Sequence, residues 1–144
     1  MAIILERKQN RIRLRKDGRW HIGYSSVAFY TWFKQQTLET LKPYIEHCKE
    51  YEKAFLRGFF DGDGSNDGKL ISAYNSDREI LVYIRQLLGK LGVRTGKITL
   101  TTKAGTETII KGRKYRKRRD CLYLYVNRRD FLEKIGFTIR RKNK

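Results

Sequence analysis

The chain has 144 residues, of which 33 are Lys or Arg and 15 are Asp or Glu, so its formal net charge is +18. Hydrophobic residues make up 40% and aromatic residues 12% of the sequence, which excludes a disordered basic tail, because such a tail lacks the apolar side chains of a core. The charge indicates a polyanionic partner. Nucleic acid is favoured over a membrane surface, since the basic residues do not follow one long amphipathic helix.

Short patterns exclude several further classes of protein. No apolar run approaches the roughly 20 residues that a membrane-spanning helix needs, and the opening Met1–Leu5 segment is too short for a signal peptide. Cys48 and Cys121 lack the spacing of metal ligands, so we expect reduced core thiols in an intracellular protein, either cytoplasmic or organellar. His21 and His47 are the only histidines, which excludes a zinc finger and a nuclease built on clustered histidines.

The first third of the chain predicts a hairpin followed by two helices. Residues 11–16 alternate in polarity and lead to Asp17-Gly18, a dipeptide that favours a tight hairpin turn. In the second helix we expect a break or a new start at Pro43, because proline lacks a backbone N–H. The other elements predicted here are a returning strand over 19–25, a helix over about 27–33 capped by Ser25 or Ser26, and a helical stretch over about 37–49.

The rest of the chain alternates between helical and strand patterns. The clearest helix covers residues 77–91, where Asp77 suits the N-cap, apolar residues recur at helical spacing and Gly92 ends the pattern. A basic loop separates the last two predicted strands. The other elements predicted here are a helix from about 51 to Gly62, strands over 69–75, 95–103 and 119–127, and a last helix over about 128–136.

The segment from Leu56 to Ser65 (LRGFFDGDGS) carries the strongest functional signal. Gly58 and Gly62 lie four residues apart on the predicted helix, hence on one face, and allow another helix to approach closely. Asp63 follows directly at the helix end. Two such helices packed side by side would bring two carboxylates together, and these repel one another unless a cation such as Mg²⁺ lies between them.

This segment resembles the LAGLIDADG motif of homing endonucleases, in its DGDGS variant. The resemblance implies an α+β fold, in which an αββαββα unit with a saddle-shaped antiparallel sheet covers residues 51–144, after a ββα half-unit over residues 1–50. Arg57 departs from the family pattern, which usually has a small residue at that position. The family's active site needs two motifs and this chain carries one, so the resemblance implies a homodimer. A truncated or engineered two-motif enzyme stays open as an alternative.

The resemblance also implies roles for residues of the motif. Asp63 would bind the catalytic divalent ions together with the backbone carbonyl of Gly62. The expected ion is Mg²⁺, with Mn²⁺ as a substitute and Ca²⁺ as an ion that binds without supporting cleavage. Gly58, Phe59 and Gly62 would lie at the dimer interface. Asp61 lies about 200° around the helix from Asp63, so we expect a structural role for it, or a role as a helix-end partner.

Two further catalytic residues are implied outside the motif. The family positions its attacking water at the end of the second strand after the motif, where we prefer Asn75 over Ser76, although Asn75 also fits an Asx turn that enters the next helix. A basic residue beyond the last helix completes the site. Lys142 is the preferred candidate, with Arg140 and Arg141 as rivals and a solvated basic tail as the plainer alternative.

Alternation along the predicted strands indicates a DNA-binding face. Ile98 and Leu100 are expected under the helices and their neighbours outward, where a twisted antiparallel sheet can lie in the major groove. The loop over residues 111–119 holds seven basic residues in nine and suits phosphate contacts. The expected DNA-binding residues, with Lys69 placed on the first strand after the motif, are Arg11, Arg13, Arg15, Lys69, Lys97, Thr99, Thr101, Lys103, Arg113, Arg116, Arg118, Tyr123 and Tyr125.

The leading hypothesis is a homodimeric, Mg²⁺-dependent, site-specific endonuclease, intron- or intein-encoded, that cuts a long pseudo-palindromic DNA target across the minor groove. An RNA maturase acting on its own intron RNA stays open, as do a catalytically inactive DNA-binding protein and a basic ribosomal or RNA-binding protein. We expect no membrane partner. A calcium loop that starts at Asp63 is rejected, because its twelfth position is Tyr74 rather than an acidic residue.

Overall fold

The structure, a computed structural model, describes residues 12–14, 16, 18, 20–22 and 26–144, without the side chains of residues 12, 13 and 20–22. Two compact units divide the chain, residues 1–41 and residues 42–144. The predicted division between residues 50 and 51 rests on the αββαββα pattern rather than on compactness, and it stays a prediction. Among the described residues, no helical segment has both the length and the apolar character that a bilayer crossing requires.

The hairpin and the first helix of the N-terminal unit form as predicted. Gly18 has a φ of +76°, the left-handed conformation that a tight hairpin turn requires. Ser26 is the N-cap of the helix, because its hydroxyl oxygen accepts a hydrogen bond from the Phe29 N–H at 3.2 Å. The elements are the paired antiparallel strands β1 (Ile12–Leu14) and β2 (Trp20–Ile22) and the helix α1 (Val27–Lys34).

Helix α2 (Leu38–Ile45) shows that the break predicted at Pro43 is wrong. The helix runs through the proline, and the Glu46 N–H donates to the Lys42 carbonyl at 2.8 Å. A proline removes its own N–H from the helical ladder and crowds the carbonyl four residues before it, but hydrogen bonds farther along the helix can persist. The break comes instead after Ile45, before the next helix begins.

The second unit follows the predicted αββαββα order. Its elements are α3 (Lys49–Asp63), β3 (Gly64–Asn66), β4 (Ile71–Asn75), α4 (Arg78–Lys90), β5 (Thr95–Thr102), β6 (Glu107–Ile110), β7 (Arg113–Arg116), β8 (Cys121–Val126), α5 (Arg128–Lys134) and a short 3-10 helix (Arg140–Asn143). Four of the strands form an antiparallel sheet in the order β3-β4-β8-β5. Strands β6 and β7 form a separate two-stranded ribbon, inserted between β5 and β8.

The helices of this unit begin at the residues that the sequence indicates. The Asp77 carboxylate accepts hydrogen bonds from two N–H groups in the first turn of α4, at 2.9 and 3.3 Å. Gly92 ends the same helix with a φ of +70°. The Asn127 side chain caps α5 in the same way, accepting a hydrogen bond from the N–H three residues later at 3.1 Å.

The core lies between the helices and one face of the four-stranded sheet. Alternation along β8 buries Leu122, Leu124 and Val126 on this face and leaves Tyr123 and Tyr125 on the other. Helix α3 reaches α5 through the rings of Phe60 and Phe131, whose centroids are 4.6 Å apart. Burial of apolar side chains of this size contributes about 1.5–3 kcal/mol each before conformational entropy is counted. The largest fully buried side chains are those of Phe60, Phe131, Leu56, Ile71, Leu81, Ile84, Leu87, Leu88, Leu124 and Val126.

Several local predictions in this unit are wrong. Lys69 lies in the turn between β3 and β4, because β3 ends at Asn66 and an Asx turn follows it. The predicted basic loop contains strand β7, which pairs with β6. Leu100 keeps an inward register opposite Leu122 but is 41% exposed, since it lies beside a β-bulge near the end of β5. Cys48 is exposed at the start of α3 rather than buried in the core.

An ion pair joins the start of β5 to helix α5. The Arg94 guanidinium donates to both carboxylate oxygens of Asp130, at 2.7 and 3.0 Å, and the Arg94 backbone N–H adds a third hydrogen bond at 3.1 Å. These bonds, with a smaller contribution from the charge of Lys134, lower the pKa of Asp130 to about 2. The folded state therefore favours the charged carboxylate more than the unfolded state does.

We expect Asp130→Asn to lower the free energy of unfolding at neutral pH, because it removes a charged acceptor from these bonds. The carboxylate's contribution is fully present above its ordinary pKa of 3.8 and is lost as the pH falls through the folded-state value of about 2. Denaturant unfolding should show a difference between wild type and variant that shrinks from about pH 4 to about pH 2. Glu133→Gln, which removes an exposed carboxylate from the same helix, should show little difference throughout. An Asp130→Asn difference that is independent of pH would contradict the assignment.

Candidate functional site

Helix α3 has one buried face and one exposed face. Residues four apart on the buried face pack into the core; they are Glu52, Leu56 and Phe60. The exposed face carries three small residues, Ala54, Gly58 and Gly62, here termed the small-residue face. Their spacing of four residues keeps them in one line along the helix.

The glycines of α3 are not required by packing within the described residues. A Cβ built on Gly58 or Gly62 would meet nothing within 4 Å, whereas a glycine inside a helix costs about 1 kcal/mol relative to alanine. Gly64 differs, because a Cβ there would lie 2.5 Å from the Phe60 carbonyl oxygen. The described fold thus requires Gly64, and it leaves the space beside Gly58 and Gly62 open.

Asp63 is the last residue of α3 and is exposed at the end of the small-residue face. The Asn75 side-chain amide, at the end of β4, donates a hydrogen bond to its carboxylate at 2.7 Å. The Asn75 side-chain oxygen, Oδ1, accepts a hydrogen bond from the Asp77 N–H at 2.9 Å. A carboxylate only accepts and an N–H only donates, so these two contacts together determine which way the Asn75 amide faces.

The oxygen atoms at this helix end suit a hard divalent cation. The Asp63 carboxylate and the adjoining backbone carbonyl of Gly62 are oxygen ligands of the kind that Mg²⁺ prefers. Among the residues that the structure describes, however, no three or more His, Cys, Asp or Glu side chains are grouped so that they could hold a metal ion. Among the described residues, Asp63 is thus the carboxylate at the end of the small-residue face that could contribute to a metal site.

Lys142 lies against the same helix end. Its ammonium group donates to the carbonyl oxygens of Phe60, Asp61 and Gly64, at 3.1, 2.8 and 2.6 Å. Asp61 turns away from the small-residue face, and its carboxylate accepts hydrogen bonds from two N–H groups just before the 3-10 helix, which confirms it as a helix-end partner. Asp63, Asn75 and Lys142 thus all lie near the end of α3, and their catalytic roles stay predictions.

The sheet face that points away from the helices carries most of the predicted DNA-binding strand residues. Tyr123 and Tyr125 are half-buried there. Tyr74 of β4 lies opposite Tyr123, with ring centroids 5.7 Å apart, and is 43% exposed. Alternation along β4 could have identified Tyr74 as an outward residue. The other predicted residues are exposed on β5 or just after it; they are Lys97, Thr99, Thr101 and Lys103.

The β6–β7 ribbon carries the remaining predicted contacts of the second unit. Arg113 and Arg116 are exposed on β7 but lie three residues apart, hence on opposite faces of the ribbon. Arg118 is exposed in the turn that follows. In the N-terminal unit, Arg11 and Arg15 lie outside the described residues. So does the side chain of Arg13, whose backbone belongs to β1.

Sequence comparison determines the family. The sequence model of the LAGLIDADG-like domain matches residues 50–139, which is more than half of the chain. The chain belongs to the LAGLIDADG family. This match covers all of α3 except its first residue, together with the four-stranded sheet, and it confirms the resemblance that the segment LRGFFDGDGS indicated.

Related proteins support the same LAGLIDADG fold. The uncharacterized protein MJ0398 of Methanocaldococcus jannaschii is 35% identical over 131 residues, which are 88% of this chain and 46% of that protein. A solved structure of mesophilic variants of the homing endonuclease I-DmoI has a TM-score of 0.61 at 20% identity, covering 94% of this chain and 65% of that one. The structure of I-DmoI in complex with DNA and Mn has a TM-score of 0.59 at 21% identity, covering 89% and 64%.

The sequence identity to the solved structures and the share of each chain that is covered determine what these similarities show. At such identities the solved structures show the fold, which confirms the predicted α+β LAGLIDADG homing-endonuclease architecture. The chain spans about half the length of the curated relative and about two thirds of the solved chains. The activity and the partners of this LAGLIDADG protein are therefore proposed below from its own residues.

The departure from the LAGLIDADG pattern at Arg57 has a structural explanation. Its guanidinium donates twice to the Ile135 carbonyl just beyond α5, at 3.2 and 3.0 Å, so the long side chain ties α3 to α5 without occupying the small-residue face. Asn66 is a second residue that sequence reasoning missed. Its amide donates to the Lys142 carbonyl at 2.7 Å. No pattern in the sequence indicates either long-range bond.

Substitution by alanine at the two glycines that flank Asp63 should change the free energy of unfolding in opposite directions. We expect Gly64→Ala to lower the free energy of unfolding by about 1–3 kcal/mol, because its Cβ would clash with the backbone of α3. Gly62→Ala should raise it by up to about 1 kcal/mol, because alanine favours the helix and its Cβ meets no atom of the described residues within 4 Å. Denaturant unfolding at concentrations low enough to dissociate any dimer measures both. Equal effects of the two substitutions would contradict this account of the helix end.

Proposed function

We propose that this protein is a divalent-metal-dependent, site-specific DNA endonuclease whose active site forms between two LAGLIDADG helices, one from each copy of a homodimer. The position of Asp63 carries the proposal. It is an exposed carboxylate at the end of a helix face built from Ala54, Gly58 and Gly62. The solved neighbours are consistent with it, since I-DmoI is in complex with DNA and Mn in one of them.

Pairing of two small-residue faces accounts for the glycines of α3. Glycine has no side chain, so two such faces can approach closely. A twofold axis that runs roughly along the two helices makes the same patch serve both copies and places the two Asp63 residues beside each other. A long, pseudo-palindromic DNA target would share this axis.

Asp63 and Gly62 supply oxygen ligands for Mg²⁺ or Mn²⁺, and two carboxylates brought together in a dimer favour a cation between them. When bound, the ion supplies a Lewis acid that stabilises charge on the phosphodiester group and lowers the pKa of a bound water. We expect Ca²⁺ to bind at the same oxygens without supporting cleavage.

Asn75 has two tasks in this proposal. Its contact with the Asp77 N–H turns its amide nitrogen toward Asp63, so one amide hydrogen holds the carboxylate in one orientation. The second hydrogen on that nitrogen is the donor that positions the attacking water. Both tasks depend on the strand end of β4 lying beside the end of α3.

The distribution of charge supports a DNA substrate. The net charge of +18 includes exposed basic residues on both faces of the β6–β7 ribbon, where they suit phosphate contacts. The outward sheet face is less charged, and it offers hydroxyl groups at Thr99, Tyr74 and Tyr123 that can contact base edges. We expect the ribbon to contribute affinity and the sheet to contribute sequence preference.

Asp63→Asn tests the metal assignment. We expect it to reduce Mg²⁺-dependent cleavage of the target DNA by about 100-fold or more, because the amide is a poor metal ligand. DNA affinity, measured by gel shift in Ca²⁺, should not weaken, since the substitution removes a negative charge near the phosphates. The DNA substrate for both measurements joins the two sequences that flank the reading frame, without the inserted element between them.

A matched control keeps this test specific. Glu50→Gln makes the same kind of change on the exposed surface at the other end of α3, about 20 Å away, and should leave cleavage unchanged. Undiminished cleavage by the Asp63→Asn protein would contradict the metal assignment. DNA binding without cleavage by the wild-type protein would favour a catalytically inactive DNA-binding protein.

Gly58→Leu tests the dimer. We expect the leucine to keep two helices apart, so light scattering should give the mass of one chain where the wild type gives that of two. Gly89→Leu is the control, because Gly89 is exposed within α4 and its Cβ would likewise meet no part of the described structure within 4 Å. The control should remain dimeric. A wild-type protein that is monomeric both free and on DNA would contradict the homodimer.

A further inference from the structure

The three hydrogen bonds of Lys142 use all of its donors. An ammonium group has three N–H bonds and no acceptor. Here they meet the carbonyl oxygens of Phe60, Asp61 and Gly64 at 3.1, 2.8 and 2.6 Å. The side chain is half-buried, and the ammonium lies 5.6 Å from the centroid of the Phe137 ring. A contact with a phosphate or a water would require it to give up one of these carbonyls.

The three carbonyls lie on both sides of the proposed metal ligands. Phe60 and Asp61 precede the pair Gly62–Asp63 in the last turn of α3, and Gly64 begins β3 after it. The Phe60 carbonyl also accepts a hydrogen bond from the Gly64 N–H. Carbonyls in the last turn of a helix carry the negative end of the helix dipole, so a cation is stabilised there. One ammonium group therefore joins the backbone before Asp63 to the backbone after it.

The contact is reciprocal. The Asp61 carboxylate accepts hydrogen bonds from the N–H groups of Thr138, at 3.2 Å, and Ile139, at 3.3 Å, directly before the 3-10 helix that carries Lys142. The Asn66 amide, at the end of β3, donates to the Lys142 carbonyl at 2.7 Å. The end of α3 and the segment over residues 138–142 thus hold each other from both sides.

We propose that Lys142 is a positioning residue, whose ammonium clamps the backbone around Gly62–Asp63 and so holds the Asp63 carboxylate in place. Lys142 then acts through Asp63 and not on the phosphate, contrary to the catalytic role that the family resemblance implies. The Asp61 contacts form the second half of the same clamp. The clamp itself is independent of the proposed endonuclease function, whereas its effect on a metal ligand rests on that function.

Hydrogen exchange of the metal-free and DNA-free protein tests the clamp. Lys142→Met keeps the length of the side chain and removes its donors. We expect the amides of Gly64, Thr138 and Ile139 to exchange about 10- to 100-fold faster in this variant, with little change at Leu87 and Leu88 in the core of α4. Arg141→Met removes the neighbouring, exposed positive charge and should leave all of these rates within about twofold of wild type.

Asp61→Ala should accelerate the same amides. The double variant should exchange no more than about twofold faster than the faster single variant, because either change opens the one clamp. Lys142→Gln, which retains two N–H donors without the charge, should give intermediate rates and replaces the methionine variant if that one fails to fold. Unchanged exchange in the Lys142 variants, or effects of Lys142 and Asp61 that multiply, would overturn the clamp.

The sign of a change in Mn²⁺ affinity separates positioning from a direct electrostatic role. Loss of a nearby positive charge by itself strengthens the binding of a cation, whereas a displaced ligand weakens it. We expect Lys142→Met to weaken Mn²⁺ binding, followed by the electron paramagnetic resonance signal of the free ion, by about tenfold, with partial recovery in Lys142→Gln. Equal or tighter binding would overturn the positioning role. A wild-type protein that binds no Mn²⁺ would instead contradict the proposed function, while hydrogen exchange still decides the clamp.

Discussion

Helix α3 faces two environments at once, and the rest of the unit is arranged around that requirement. Its Leu56 and Phe60 side anchors it in the core, where both side chains are fully buried. Its opposite side is bare backbone at Gly58 and Gly62, where no atom of the described residues lies within 4 Å of the place a Cβ would occupy. A glycine-lined helix face is unfavourable for an isolated helix. The cost is offset only if another helix lies against that face, which is why we propose a second copy there.

The strong positive charge of each copy repels the other copy and so opposes such a dimer. The small-residue face reduces this repulsion at the helix contact. It carries no charged side chain, so the two backbones can approach without burying like charges. Charges farther apart than about 8 Å are largely screened at physiological salt, and a DNA duplex bound across both copies would neutralise many of the rest. In this view DNA and dimer stabilise one another, and the exposed basic ribbon and the uncharged helix face have complementary roles.

Most of the fold was predictable because local signals agree with tertiary structure. Asp77 caps α4, Gly92 ends it, and alternation along β8 sorts Leu124 inward and Tyr123 outward as expected. The errors fall where local rules are incomplete. Proline lacks one N–H donor but does not always end a helix, and α2 continues through Pro43. Alternation alone also does not indicate bulges, and Leu100 is therefore more exposed than predicted.

The candidate site was predictable in part. The motif located Asp63, and the family resemblance favoured Asn75 over Ser76 at the end of the following strand. The structure adds the 2.7 Å hydrogen bond between Asn75 and Asp63. Sequence could not show that Lys142 donates to three backbone carbonyls, because contacts to carbonyl oxygens leave no residue-type pattern. The same holds for Arg57, whose partner is the carbonyl of Ile135, 78 residues away. The sequence shows which side chains can donate hydrogen bonds, but only the folded structure shows which backbone atoms accept them.

The central claim is that two Asp63 carboxylates meet between two copies of α3. The most direct test is a crystal structure of the protein bound to its target DNA, from crystals grown with Mn²⁺, in which an anomalous difference map locates the manganese. We predict manganese peaks between the Asp63 side chains of two glycine-lined helices in contact. Manganese bound away from Asp63, or Gly58 and Gly62 facing solvent in the DNA complex, would contradict it.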